Sequence, residues 1–511
     1  MTLREIFGVT GLLFISTIAF GKPLHLSLSM DHQKSHGTEP CIFPDGTTLT
    51  NFPEAHCYTP DQVTKAYGID VVHGLGVTGK GQTIVIVDAF GSPTIQQDLD
   101  HFSDTFGLPR TTIQFIYPNG PVTNPLDNSD NAGWAVETTL DVEWTHTMAP
   151  DASIVMVVTD VSETTGLAGF PQIFQGLQMA IDQHPGSVVS MSFATDELTF
   201  QSSEVSTYLQ GSFHKILEEG ARKNMTFLSG SGDWGSVNFL ADGATYQSVP
   251  TVNYPASDPF VTGVGGTWLQ SGWRWTPEGT IDNYWDCQLN KNCGDDFLKS
   301  VDLDATSEAV WNEQWANAAS GGGVSTVFPM PKFQKSVGEA NLKTMNGFRG
   351  VPDVAMNASV DGGVMIYSSF VSPAIGATGP AWSFNGGTSL ATPETAGVVA
   401  LAGELASSIV GRKVGVGYLN PILYSLSSDD FNDIIPQTYG GVTVGDNALY
   451  FNATVLASVG STSMPPIAVP GYPVTEGYDL ATGWGSPKGF KFVSGVARSV
   501  VERERFFFPR P

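Results

Sequence analysis

Positive charge is scarce in this sequence. Lys and Arg number 24 against 50 Asp and Glu, a formal net charge of −26. So acidic a surface repels phosphate backbones and anionic lipid, which argues against nucleic acid and membrane surfaces as partners. Its self-repulsion falls as pH approaches the sequence pI of about 4.5, which suits an acidic medium. Cysteine is also rare, at 4 residues, and neither pair has the tight C-x-x-C spacing of a zinc site. Cys41 with Cys57 and Cys287 with Cys293 bracket short loops, so two local disulfides are the simplest of the three pairings, and an oxidising compartment follows. No repeat of fixed period and no long low-complexity tract is present, which excludes a solenoid or a disordered scaffold. No apolar run later in the chain exceeds the short one at Ile6 to Phe20, so no membrane-spanning helix is expected in the mature protein.

Glycine and proline are plentiful, at 57 and 32, as suits a loop-rich enzyme. Arg4, the apolar stretch and Ala19-Phe20-Gly21 read as a signal peptide over 1–21, and hence as export. Residues 22–57 are polar and turn-rich, too short for a domain. Asn224, Asn357 and Asn452 head glycosylation sequons.

Beyond that point the pattern changes. Thr83-Ile84-Val85-Ile86-Val87 is a continuous β-branched run, as in a strand buried on both faces of a parallel sheet. Similar runs recur at 154–158, 187–191 and 226–229. Helix-length amphipathic stretches at 133–147, 170–183 and 204–224 lie between them. The alternation predicts an α/β, doubly wound, mostly parallel sheet, whose active residues gather beyond the strand C-termini. Residues 265–323, with the second cysteine pair, read as a surface insertion, and 428–487 as a loop-like tail.

Three segments carry chemistry. Gly386-Gly387-Thr388-Ser389 precedes an apolar helix-like run to Gly403. A serine there sits where backbone N–H groups and the helix dipole favour negative charge, as a nucleophile needs. By itself the motif is more often an ordinary helix cap. In a helix over 133–147, Glu137 and Asp141 are i and i+4 neighbours beside the apolar line Val136, Leu140 and Trp144. Two acids at such an edge resist simultaneous ionisation and can share a proton, which lets them relay a serine's proton at low pH. Asp233, in Ser229-Gly230-Ser231-Gly232-Asp233 after a strand-like run, can approach a substrate closely and, when protonated, donate to an oxyanion.

Together these segments resemble the sedolisin family, the serine-carboxyl peptidases related in fold to subtilisins. The resemblance runs through Tyr58-Thr59-Pro60, Glu137-Thr138-Thr139-Leu140-Asp141, His146-Thr147-Met148-Ala149-Pro150 and Ser229-Gly230-Ser231-Gly232-Asp233. It continues through Tyr254-Pro255-Ala256-Ser257-Asp258-Pro259, Gly263-Val264-Gly265-Gly266-Thr267, Ser320-Gly321-Gly322-Gly323-Val324-Ser325 and Val351-Pro352-Asp353-Val354. It implies a single subtilisin-like peptidase domain over 58–496 with a tail at 497–511. It implies a Ser389, Glu137 and Asp141 triad with Asp233 in the oxyanion hole, acting on polypeptides as a monomer. Whether such an enzyme cuts internally or trims N-terminal tripeptides is not legible in the spacing. The resemblance also implies one Ca²⁺, held by Asp433 and Asp479 with backbone carbonyls of Ile434, Thr475 and Gly477, hard oxygen donors that suit the ion. The family often has Gly where Thr475 stands, and many relatives have Ser where Gly386 stands. Its precursors commonly carry a long N-terminal prodomain, in place of which only 22–57 is expected here.

Two alternatives belong beside this reading. A subtilisin-type Ser/His/Asp enzyme would use Asp88, but none of the 9 histidines opens a helix in an HGTH-like turn, and His146 lacks flanking glycines. A non-catalytic secreted binding protein on a peptidase scaffold is the other, and competent residues at all four catalytic positions speak against it.

Overall fold

The computed structural model describes residues 14–15, 41–47, 57–123, 126, 128–163, 168–239, 246–271, 273–275, 281–283, 306–313, 318–439, 442–448 and 469–507. The apolar run at Thr83–Ala89 (β1) is a strand whose side chains divide by parity. Ile84 and Ile86 join one core, and Val85 and Val87 another. That is the period of two of a strand covered on both faces.

After β1 come, in chain order, α1 (Ile95–Phe106), β2 (Gln114–Ile116), α2 (Ser129–Met148), β3 (Ser153–Thr159), α3 (Phe170–Gln183), β4 (Val188–Met191), α4 (His214–Arg222), β5 (Thr226–Gly230), β6 (Val261–Ser271), β7 (Thr306–Val310), β8 (Val354–Asn357), β9 (Gly363–Ser368), β10 (Ala381–Gly386), α5 (Thr388–Val410) and α6 (Gly489–Phe507). The main sheet runs β7-β6-β5-β4-β1-β3-β2, with β8 also on β6. Its pairs are parallel except β6–β7. Residues of α1, α2, α5 and α6 share the core on one face, and those of α3 and α4 the core on the other. From β1 the chain winds first toward β3 and β2, then back toward β4, β5 and β6. The expected doubly wound architecture is therefore present, and its direction reverses between β1 and β4, where such sheets open a crevice.

A second sheet places β10 antiparallel to β9, with residues 57–58 and 14–15 as parallel flanking strands. Helix α2 starts at Asn128, whose side chain accepts from Asn131 N at 2.9 Å. It lies between the sheets and α5, and from Trp134 to Met148 every residue is buried. Helix α5 is likewise buried from Thr388 to Glu404 and ends at Gly411 in the left-handed conformation.

Several expectations change. The stretch 204–224 is not one regular helix, because Gly211 adopts non-helical angles within it. The ends of 265–323 are core: β6 and β7 pair there, and Val310 and Trp311 are fully buried. Residues 497–507 are no tail, since α6 runs through them and buries Ala497 and Val500. Cys41 and Cys57 form a disulfide, and Cys41 and Phe43 join the core, so part of 22–57 is packed onto the domain. Cys287 and Cys293 lie outside the described residues, as does the Asn452 sequon. Asn224 is exposed, but Asn357 is buried, accepting from Leu269 N at 3.2 Å and donating to Gly362 O at 2.8 Å. The folded chain therefore offers no acceptor at Asn357.

Candidate active site

Ser389 occupies the second position of α5, immediately after β10. The turn between them needs both glycines. Gly387 has φ of 96°, and a Cβ on Gly386 would lie 2.4 Å from Ser359 O. A serine at 386 therefore has no room in this chain.

Proline at 393 shapes the turn that bears Ser389. It has no N–H, so it cannot donate to the carbonyl four residues earlier, which is that of Ser389. Instead the Ser192 hydroxyl lies 3.3 Å from Ser389 O. The same hydroxyl is 3.0 Å from Asp141 Oδ1. Ser192 follows β4 directly, on the crevice side of the sheet. One buried hydroxyl thus joins α5 to α2.

On α2, Asp141 is fully buried and Glu137 is 4% exposed, so the acid pair lies inside the fold and not along its edge. Asp88, at the end of β1, faces Asp141 and the Thr138 hydroxyl. Burial pushes Asp88 up to about 7, although Thr138 and Asp141 act to lower it. Asp141 is raised well above the usual carboxylate range by burial first, then by the charges of Asp88 and Glu137, with Ser192 opposing. Glu163, four residues beyond β3, is also fully buried. Neither of its oxygens has a hydrogen-bond partner among the described residues, and Asp130, Glu137 and Asp88 act on it. No cation is among the groups that shift Asp88, Asp141 or Glu163. Such a cluster keeps protons well above pH 4 because no cation among the described residues compensates its charge.

Asp233 sits just past β5. Its Oδ1 accepts from Thr388 N at 2.8 Å and from Thr388 Oγ1 at 2.9 Å, while Thr388 Oγ1 accepts from Gly232 N at 3.1 Å. Burial raises Asp233 to about 6, against the lowering effect of both Thr388 bonds. At acidic pH it is neutral, and its second oxygen can carry a proton to donate. Ser389, Asp141 and Asp233 thus converge on the start of α5, with Glu137 one turn before Asp141.

His146 does not converge. On the last turn of α2 its Nε2 donates to Pro109 O at 2.6 Å, and burial lowers its proton affinity. It stands about 13 Å along the helix from Glu137. The residues that sequence reading passed over are Ser192 and Glu163, with Asp88 noted only as a subtilisin-type acid. All three lie at or just past strand C-termini, which was the available signal.

The calcium expectation falls on two segments that meet. Gly477 N donates to Asp433 Oδ2 at 2.9 Å, and Thr475 N to Asp479 Oδ2 at 3.2 Å. Asp479 Oδ1 is held by Ala481 N and Thr482 N at 2.9 and 2.7 Å. Among the described residues no cluster of three or more His, Cys, Asp or Glu could hold a metal. A metal here would therefore rely on two carboxylates with main-chain carbonyls. An all-oxygen donor set on two joined loops, with Asp479 buried, fits a hard cation in chemistry.

A family model described as the subtilase family matches residues 129–415. Kumamolisin of Bacillus sp. (strain MN-32) is 26% identical over 88% of this chain and 65% of its own length. Sedolisin of Pseudomonas sp. (strain 101) is 25% identical over 80% of this chain and 57% of its own. Tripeptidyl-peptidase 1 of Homo sapiens is 24% identical over 87% and 67%. The chain spans about two thirds of the length of these relatives, or less. A solved structure of Pseudomonas sedolisin, a serine-carboxyl proteinase complexed with two molecules of pseudo-iodotyrostatin, matches with a TM-score of 0.61 at 24% identity, over 88% of this chain and 99% of that one. That likeness is one of fold, the subtilisin-like fold with its mostly parallel sheet.

Proposed function

The chain belongs to the subtilase family, and we propose that it falls in the sedolisin branch, to which kumamolisin and sedolisin point, as an acid-active serine-carboxyl peptidase cleaving polypeptides through an acyl-enzyme on Ser389. In this reading Glu137 takes the Ser389 proton as Oγ attacks the scissile carbonyl, and Asp141 orients Glu137. Neutral Asp233 donates to the tetrahedral oxyanion. Glu137 then gives its proton to the leaving amine, and later takes one from the water that releases the acyl group.

The observation that carries this reading is Asp233. Its carboxyl is bound through one oxygen to Thr388, the residue before Ser389, and is raised to about 6. A carboxyl so held is a donor only in acid, which links the chemistry to the medium. The test is casein hydrolysis at about pH 4, in the carboxylate range. Ser389→Ala is expected to lose about a thousandfold or more in kcat. Equal rates in wild type and variant would refute the assignment. Mass spectrometry of products from one denatured protein separates internal cleavage from tripeptide release.

A Ca²⁺ on Asp433, Asp479 and the carbonyls of Ile434, Thr475 and Gly477 belongs to the same reading, and when bound it supplies rigidity and no chemistry. Chelation is expected to lower the Tm of wild type but not of Asp433→Asn; equal shifts in both would exclude the site. Export to an acidic, oxidising space completes the reading, supported by the Cys41–Cys57 disulfide. Among the described residues no helix is long and apolar enough to cross a membrane.

A further inference from the structure

The geometry points to Ser192 as a positioning residue that couples the protonation of Asp141 to the helical turn carrying Ser389. The inference rests on the proposed role of Ser389 and the acid pair.

Its basis is a shortage of donors. Pro393 leaves the Ser389 carbonyl without its helical partner, and that carbonyl is buried with the first turns of α5. Ser192, itself 1% exposed, is the hydroxyl placed to serve it, at 3.3 Å. Yet the hydroxyl has one proton and stands 3.0 Å from Asp141 Oδ1 as well. When Asp141 is ionised, it can only accept, so Ser192 donates to it and the Ser389 carbonyl goes unserved. When Asp141 carries a proton on Oδ1, it donates to Ser192 Oγ, and Ser192 turns its own proton to the Ser389 carbonyl. Asp141 Oδ1 gains one proton from solvent, its hydrogen bond with Ser192 reverses direction, and the Ser192 hydroxyl rotates. The protonated state therefore holds the nucleophile's turn more firmly, since a buried carbonyl left unpaired is costly. The groups that bias Asp141 are Asp88 from β1 and Glu137 from its own helix, and these two also act on Glu163 in the loop after β3.

Two kinds of variant test this. Ser192→Ala is expected to lower kcat about tenfold or more with KM within about twofold, as for a group that positions without binding substrate. Its alkaline limb in the kcat profile is expected at higher pH than in wild type, because ionised Asp141 has lost a donor and keeps its proton further up the pH scale. Ser192→Thr, which keeps the hydroxyl, is expected to restore both. Pro393→Ala returns an N–H to the Ser389 carbonyl, so the loss caused by Ser192→Ala should be at least threefold smaller in the Pro393→Ala background. An unshifted pH profile in Ser192→Ala, or an additive double-mutant cycle, overturns the inference. If wild type itself shows no hydrolysis, or Ser389→Ala is as active as wild type, the proposed function fails instead.

Discussion

At Asp233 one carboxyl oxygen takes two hydrogen bonds from Thr388, and the other is free of protein donors among the described residues. Asparagine at this position keeps the acceptor and supplies an N–H at every pH. Asp233→Asn is therefore expected to retain activity within about tenfold at pH 4 and to extend the alkaline limb beyond about 6, whereas Asp233→Ala loses roughly 100-fold or more. A kcat/KM profile for the three proteins checks this, and an unmoved alkaline limb in Asp233→Asn contradicts it. Glu163 offers the opposite case. Its buried carboxyl has no hydrogen-bond partner among the described residues, and burial raises its proton affinity well above the ordinary value. Its cost to the fold grows as pH rises and the proton becomes harder to keep. Glu163→Leu, of similar volume, is expected to raise Tm, and by more at pH 7 than at pH 4.

Among the elements, α5 was the easiest to read and its approach the hardest. The apolar run after Ser389 announces a buried helix, and α5 extends it to Val410. What the run does not announce is how closely the end of β10 must pass residues 358–359, just after β8. Gly386 is needed because the Ser359 and Ala358 carbonyls stand where its side chain would be, at 2.4 and 2.8 Å. Gly386→Ser is thus expected to lower stability by about 1 to 3 kcal/mol in urea denaturation, with activity falling further than stability because the displaced turn carries Ser389. Wild-type stability in the variant would show that the backbone has slack there. Helix α2 teaches a related lesson. The Glu137 and Asp141 spacing is legible in one segment, but an acidic helix in an acidic chain normally faces water. The packing of α2 between two sheets and α5 reverses that expectation, because every side from Trp134 onward meets protein.

For the whole molecule, buried carboxyls set the dependence of stability on pH. Asp233, Asp88 and Glu313 are raised to about 6, 7 and 8, each chiefly by burial. Unfolded, such groups titrate near pH 4. Between about pH 4 and 8 the native state therefore binds more protons than the unfolded state, and stability falls as pH rises through that window. Thermal melts from pH 4 to pH 8 are expected to show a declining Tm. A Tm that climbs over this range would mean that the three carboxyls are paired with cations in solution. The net charge of −26 adds to the same trend, since self-repulsion grows as the remaining acids ionise.

Local composition by itself determined much of this protein. Continuous β-branched runs make doubly covered strands wherever they fall, Pro and Gly end or bend helices by their own geometry, and an i, i+4 pair shares a helix face whatever surrounds it. These properties belong to neighbours in the chain, so β1, β3, α2 and α5 and the candidates Glu137, Asp141, Asp233 and Ser389 could be named from it. The tertiary structure decided what depends on residues far apart in the chain. It brought Ser192 between Asp141 and Ser389, set Asp88 and Glu163 beside the acid pair, turned His146 to Pro109, and buried Asn357. It also drew the ends of 265–323 and 497–507 into the core. Burial and hydrogen bonding are sums over contacts between distant segments, and no local pattern contains them.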